Sequence, residues 1–120
     1  MADAHCSTLP VVDERGVLVG MLSEHDICVG AVASGATLSE TPVAVAMQHD
    51  VVRSSSDESI GSATATMRKH KLRHVAVAEA DGRLVGMLCL GDLARQLESQ
   101  AETSLDPAWI AATLVNVYAR

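Results

Sequence analysis

The chain has no Phe, one Trp and one Tyr among its 120 residues. Proteins that bind single-stranded nucleic acid stack bases on aromatic platforms, and Trp109 with Tyr118 cannot build one. Positive charge is scarce too: 9 Lys and Arg stand against 15 Asp and Glu, a formal net charge of −6. Such a surface repels a phosphate backbone, so nucleic acid is not an expected partner. The 3 cysteines, Cys6, Cys28 and Cys89, form no Cys-x-x-Cys pair. That excludes a disulfide framework and points to reduced thiols in a cytoplasmic protein, packed as small hydrophobes. The longest uncharged apolar run, "ICVGAVASGATLS", is 13 residues and rich in Gly and Ser, too short to span a bilayer. The opening "MADAHCSTLP" has neither the basic nor the apolar region of a secretion signal. There is no G-x-G-x-x-G, no Ser-His-Asp order and no acid/base carboxylate pair, so no catalytic centre is expected. His70 and His74 are four apart, but a helix end should fall between them, and His5, Cys6 and His25 lack ligand spacing. No metal site is expected from them.

What is present is an aliphatic chain, 48% hydrophobic and 20% charged, enough for one compact module with an α/β fold of the α+β type. It repeats itself. "GVLVGMLSEHDI" at 16–27 returns as "GRLVGMLCLGDL" at 82–93, an offset of 66 that keeps Gly, Leu-Val-Gly-Met-Leu and Asp in register. The first copy reads as strand 9–12, turn 13–16, strand 17–22 and a helix from about Ser23. The second reads as strand 75–78, a turn at Asp81 and Gly82, strand 83–88 and a helix over about 91–98. Ahead of it, Ser55 and Glu58 fit a capping box for a helix over 56–70 whose inner face is Ile60, Ala63, Thr64 and Met67. Val51 and Val52 read as a short strand, and 30–42 as a connector. Asp106 and Pro107 start a terminal helix over 107–119, with Ile110, Leu114, Val117 and Tyr118 inward. Position 1 aligns with position 67, so the first repeat is expected to be a hairpin plus helix without the leading strand and helix of the second.

These in-register phrases resemble a tandem pair of CBS domains, the regulatory Bateman module, over about residues 1–98 and most fully over 43–98. The resemblance divides the chain into a partial first repeat and connector (1–41), a complete second repeat (42–98), and a linker with an extra C-terminal helix (99–120). It implies a non-catalytic module without a resident cofactor, binding AMP, ADP, ATP or S-adenosylmethionine between repeats. It also implies pairing into a homodimer and action through a separate effector protein. Trp109, Ile110, Leu114 and Val117 are the expected dimer surface. A purely structural dimerisation module is the alternative, and a metal-binding protein a third.

The repeated phrase suits that ligand chemistry. Ser23 and Asp26 set a hydroxyl and a carboxylate together at a helix start, the carboxylate for ribose hydroxyls and the hydroxyl with free helix N–H groups for phosphate. Both residues also suit plain helix capping. Carried over by position, the resemblance adds Asp50, Val51, Val52, Leu72, Arg73 and His74 to that site, with Ser7 nearby for phosphate. The opposite site would use Cys89 and Asp92, where a thiol replaces the hydroxyl, and is expected to be the weaker one. The basic run "RKHKLRH" at 68–74 reads either as a solvated helix end or as a phosphate-facing edge.

Overall fold

The computed structural model describes residues 7–99 and Ala108. Their contacts divide into two units, the first running through Val51 and including Asp81–Leu84, the second holding Val52–Ala80 and the chain from Val85 on.

In the first unit, β1 (Thr8–Val12) and β2 (Leu18–Ser23) form an antiparallel pair in which Thr8 faces Ser23 and Val11 faces Gly20. The register shifts after Val11 so that Val12 meets Leu18. The turn between them is closed by Asp13, whose Oδ1 accepts from Arg15 N at 2.8 Å and Val17 N at 3.0 Å. Gly16 there takes φ +79°, a conformation that favours glycine. Helix α1 (Glu24–Ser34) follows directly from β2. A 3-10 turn (Leu38–Glu40) and a short α2 (Val43–Ala46) bring the chain back. A Cβ on Gly30 would lie 2.8 Å from Ala46 Cβ, so glycine allows α1 and α2 to touch. The expected connector 30–42 is therefore part helix: α1 runs on to Ser34, where Gly35 caps it in the left-handed region at φ +64°.

Hairpin tips from the two copies pair with each other. Leu18 N donates to Gly82 O at 2.9 Å and Leu84 N to Gly16 O at 3.0 Å, with Val17 opposite Arg83. The two bonds map onto each other under the 66-residue offset.

In the second unit, β3 (Arg53–Ser55), β4 (His74–Ala78) and β5 (Leu84–Cys89) form a sheet in that order. β3 runs parallel to β4, Arg53 opposite Ala76 and Ser55 opposite Ala78, which requires the crossover that α3 (Ile60–His70) supplies. α4 (Leu90–Ser99) follows β5. The core is aliphatic: Met67, Val75 and Ala76 are fully buried, with Leu90 and Leu93 from α4 nearly so. Thr64 is buried as well, its hydroxyl donating to Ile60 O and Gly61 O.

Three expectations shift here. The strand lies at 53–55, not at Val51 and Val52, because the parallel register with β4 recruits the Arg-Ser-Ser stretch. The helix begins at Ile60, not at 56. Only one bond of the expected capping box forms, Ser55 N to Glu58 Oε2; Glu58 N goes to the Ser55 backbone carbonyl and the Ser55 hydroxyl accepts from Asp57 N, so the stretch closes a turn. Ser59 is the N-cap instead, accepting from Ser62 N at 3.0 Å. Ile60, expected inside, is 42% exposed at the helix start. The terminal helix over 107–119, with Trp109, Ile110, Leu114, Val117 and Tyr118, lies outside the described residues, Ala108 excepted. So do His5 and Cys6.

Candidate functional site

Ser23 ends β2 in an extended conformation and is the N-cap of α1. Its hydroxyl accepts from Asp26 N at 3.1 Å and donates to Asp26 Oδ2 at 2.7 Å, while Ser23 N donates to the same oxygen at 2.8 Å. The capping reading of this pair is thus realised in full. A third donor comes from a residue the sequence did not single out. Gln48 Nε2 reaches Asp26 Oδ1 at 3.0 Å across 22 positions of chain.

Gln48 is held there by its backbone, which exchanges two hydrogen bonds with Met21 of β2, at 2.8 and 2.9 Å. The approach depends on Gly20. A Cβ there would meet Met47 Sδ at 2.5 Å and Gln48 O at 3.0 Å. The glycine of the repeated phrase therefore admits the segment that carries Gln48. No polar residue in a loop announces such a role; only the offset-related Gly20, read as a close-approach site, offered a hint.

Burial acts to raise the pKa of Asp26. The hydrogen bonds from the Ser23 side chain and backbone and from Gln48, together with nearby His25, outweigh it and hold the carboxyl below its ordinary range. Asp26 is therefore ionised at neutral pH, half-buried and fixed in orientation.

Ser7 lies at the same corner, its carbonyl accepting from Glu24 N at 3.1 Å. With Asp26 N bonded to Ser23 Oγ, two of the first three helix N–H groups are occupied, so the expected set of free donors for phosphate is reduced. Asp50 is exposed and Val51 half-buried, just past Gln48.

The remaining expected residues belong to the second unit. Val52 is half-buried ahead of β3, and Leu72, Arg73 and His74 lead from α3 into β4. His70 closes α3 and His74 opens β4, so the helix end does fall between them. Leu90 N donates to Arg73 O at 2.9 Å, the offset counterpart of Glu24 N on Ser7 O. Burial lowers the His74 pKa, the Arg73 charge lowers it further, and Asp92 opposes both. His74 is therefore neutral at pH 7.

Asp92 itself is treated differently from Asp26. It pairs with Arg95 one helical turn on, both side chains more than half exposed. Cys89 is half-buried, and no hydrogen bond joins its thiol to Asp92 among the described residues. The basic run forms the last turn of α3, with Lys71 capping it at φ +53°. Among the described residues no group of three or more His, Cys, Asp or Glu could hold a metal ion, and no helix is long and apolar enough to cross a membrane.

A family model for the CBS domain matches residues 1–30 and 43–99. The CBS domain-containing protein YhcV of Bacillus subtilis is 35% identical over 94 residues, covering 78% of this chain and 65% of that protein. The chain thus spans just under two-thirds of that relative, and 57% of a 17.7 kDa protein of Acidianus ambivalens that is 30% identical. Among solved structures, the CBS domain protein TA0289 of Thermoplasma acidophilum, of unknown function, aligns with a TM-score of 0.70 at 28% identity. That match covers 97% of this chain and 61% of that one. The CBS domain pair of protein MJ0100, solved with 5′-methylthioadenosine and S-adenosyl-L-methionine, aligns with a TM-score of 0.64 at 26% identity, covering 82% and 75%.

Proposed function

The chain belongs to the CBS-domain family as a tandem pair of domains, and from that premise we propose that it is a non-catalytic regulatory module for an adenosine-containing ligand. The observation that carries this reading is Asp26, an ionised and oriented carboxylate beside a hydroxyl at the end of a β-strand, still half-exposed. A carboxylate of that kind accepts strong, charge-assisted hydrogen bonds from ribose hydroxyls. A structural relative carrying adenosine compounds supports the same ligand class. Asp92, held by Arg95 and lacking a neighbouring hydroxyl, is the weaker candidate.

The remainder of the reading is a homodimer, acting in the cytoplasm on a separate effector protein. What supports the dimer is the apolar surface on α1 and α2, where Val29, Val32, Val43 and Val45 are 51%, 85%, 48% and 61% exposed. The same surface favours a second reading, a dimerisation module with no ligand.

Calorimetric titration with AMP, ADP, ATP and S-adenosylmethionine separates the two. Binding tighter than about 1 mM, roughly 4 kcal/mol, is expected for at least one. Asp26→Ala should weaken it at least about tenfold, the loss of a charge-assisted bond, while Asp92→Ala changes it little. Folded protein that binds none of the four, yet sediments as a dimer, establishes the ligand-free reading instead.

A further inference from the structure

The hydrogen bonds already on Asp26 limit what it can still accept. A carboxylate offers about four lone-pair sites, two on each oxygen. Oδ2 takes two donors, Ser23 N and Ser23 Oγ, and is saturated. Oδ1 takes one, Gln48 Nε2, and keeps one site open. A vicinal diol brings two hydroxyl donors side by side, so Asp26 can serve only one of them without losing a hydrogen bond it already accepts. The second hydroxyl needs an acceptor next to Oδ1. The same carboxamide that donates to Oδ1 carries one. Gln48 Oε1 is bonded to the carbon that bears Nε2, and it accepts no hydrogen bond from the described residues. Gln48 is exposed, but its backbone is fixed by the Met21 bonds and its carboxamide is tied to Asp26 Oδ1 through Nε2, which keeps Oε1 in the neighbourhood of that oxygen.

We infer that Gln48 is a ligand-binding residue, its Oε1 and Asp26 Oδ1 forming a paired acceptor for the two hydroxyls of a cis-diol such as ribose. The inference rests on the proposed adenosine-ligand reading and adds to it a residue outside the repeated phrase. It involves two side chains from separate stretches of the first unit, and no donor from the helix end. It also assigns the specificity: a ligand is favoured for having both hydroxyls, and each hydroxyl has its own acceptor.

The test titrates AMP, 2′-deoxy-AMP and 3′-deoxy-AMP into wild-type protein, Gln48→Met and Gln48→Glu, with folding checked by circular dichroism. In the wild type each deoxy compound should bind about five- to tenfold more weakly than AMP, the loss of one hydrogen bond. In Gln48→Met, AMP should weaken by a similar factor, one deoxy penalty should vanish and the other should persist. Gln48→Glu keeps an acceptor oxygen but removes the donor, so both penalties should remain, measured against its own AMP affinity. Both penalties intact in Gln48→Met overturn the role of Gln48 while leaving the adenosine reading in place. A penalty that vanishes in both variants makes Gln48 a positioning residue acting through its N–H. Wild-type protein that binds neither AMP nor ADP, ATP or S-adenosylmethionine overturns the adenosine reading, and the Gln48 role with it; where ATP binds in place of AMP, its 2′- and 3′-deoxy forms replace those of AMP. If Gln48→Met does not fold, Gln48→Ala takes its place with the same two readings: one deoxy penalty lost supports the acceptor, and both intact refute it.

Discussion

Replacing Asp26 with Ala tests the capping box apart from any ligand. The substitution removes three accepted bonds at once, from Ser23 N at 2.8 Å, Ser23 Oγ at 2.7 Å and Gln48 Nε2 at 3.0 Å. Ser23 Oγ still caps Asp26 N, whose donor belongs to the backbone, so α1 keeps half of its box. The stranded donors are half-exposed or exposed and turn to water, which keeps the loss well below the sum of three charged hydrogen bonds. A cost of about 1–2 kcal/mol follows, in the range measured for N-terminal caps. Asp92→Ala removes an exposed pair with Arg95 and a charge near His74, which is neutral at pH 7, and should cost no more than about 0.5 kcal/mol there. Urea denaturation of both variants reads the difference as a shift in midpoint at constant slope. The pH dependence has a definite sign. The folded pKa of Asp26 is depressed, so its contribution is present above the unfolded value near 3.9 and fades as pH falls through the lower folded value. The gap between wild type and Asp26→Ala should therefore close in acid. Equal losses at positions 26 and 92, or a gap that widens below about pH 4, would refute the reasoning.

Three further outcomes are expected. His74 is neutral in the native state with its pKa lowered below the unfolded value of about 6.5, so stability is full above that pH and falls as pH drops through the folded value; His74→Gln should flatten that slope in a urea series. Gly20→Ala pushes a Cβ to 2.5 Å from Met47 Sδ and 3.0 Å from a backbone carbonyl, and should cost about 1–3 kcal/mol. Its offset partner Gly86 has nothing among the described residues within 4 Å of a built Cβ, so Gly86→Ala should stay within about 0.5 kcal/mol in the same thermal melt. Lys71 holds φ +53° at the end of α3, where glycine is unstrained, so Lys71→Gly should raise the melting temperature by an amount equivalent to about 0.5–1 kcal/mol.

Features that the sequence revealed are those set by bonds between near neighbours. The turns at Asp13 and Asp81 are each closed by that carboxylate accepting from the N–H two residues on, and each carries a glycine at positive φ. Ser23 caps its helix through a residue three positions away. Where two local signals compete, the sequence misleads. Ser55 and Ser59 both offer an oxygen to a following N–H, and the choice of Ser59 depends on where α3 must start to cross between β3 and β4. Val51 and Val52 are better strand formers than Arg53 and Ser54, yet register with Ala76 and Val77 decides which stretch pairs. α2, only four residues after Pro42, is too short for any periodicity to show. Gln48 was invisible for another reason: its partners Met21 and Asp26 are more than 20 positions away.

The two copies have diverged in one kind of bond and not in the other. Backbone bonds recur under the offset: Glu24 N on Ser7 O matches Leu90 N on Arg73 O, and the two tip bonds are each other's counterparts. Such bonds need only an N–H and a carbonyl, so substitution of side chains leaves them standing. The side-chain bonds at the two helix starts do not recur. Ser23 donates to Asp26, but its counterpart Cys89 is a weak donor, and Asp92 turns to Arg95 instead. Gly20 admits Met47 and Gln48, whereas a Cβ on Gly86 would meet nothing among the described residues. The fold thus asks for the repeat only through its backbone, and a side-chain constellation kept in one copy needs a different cause. At Asp26 that constellation comprises a donor pair, an ionised carboxylate and a carboxamide brought in from 22 positions away. Helix capping accounts for Ser23 and Asp26, since the box closes without help. It does not account for Gln48, which adds nothing to the cap and whose carboxamide oxygen accepts no hydrogen bond from the described residues.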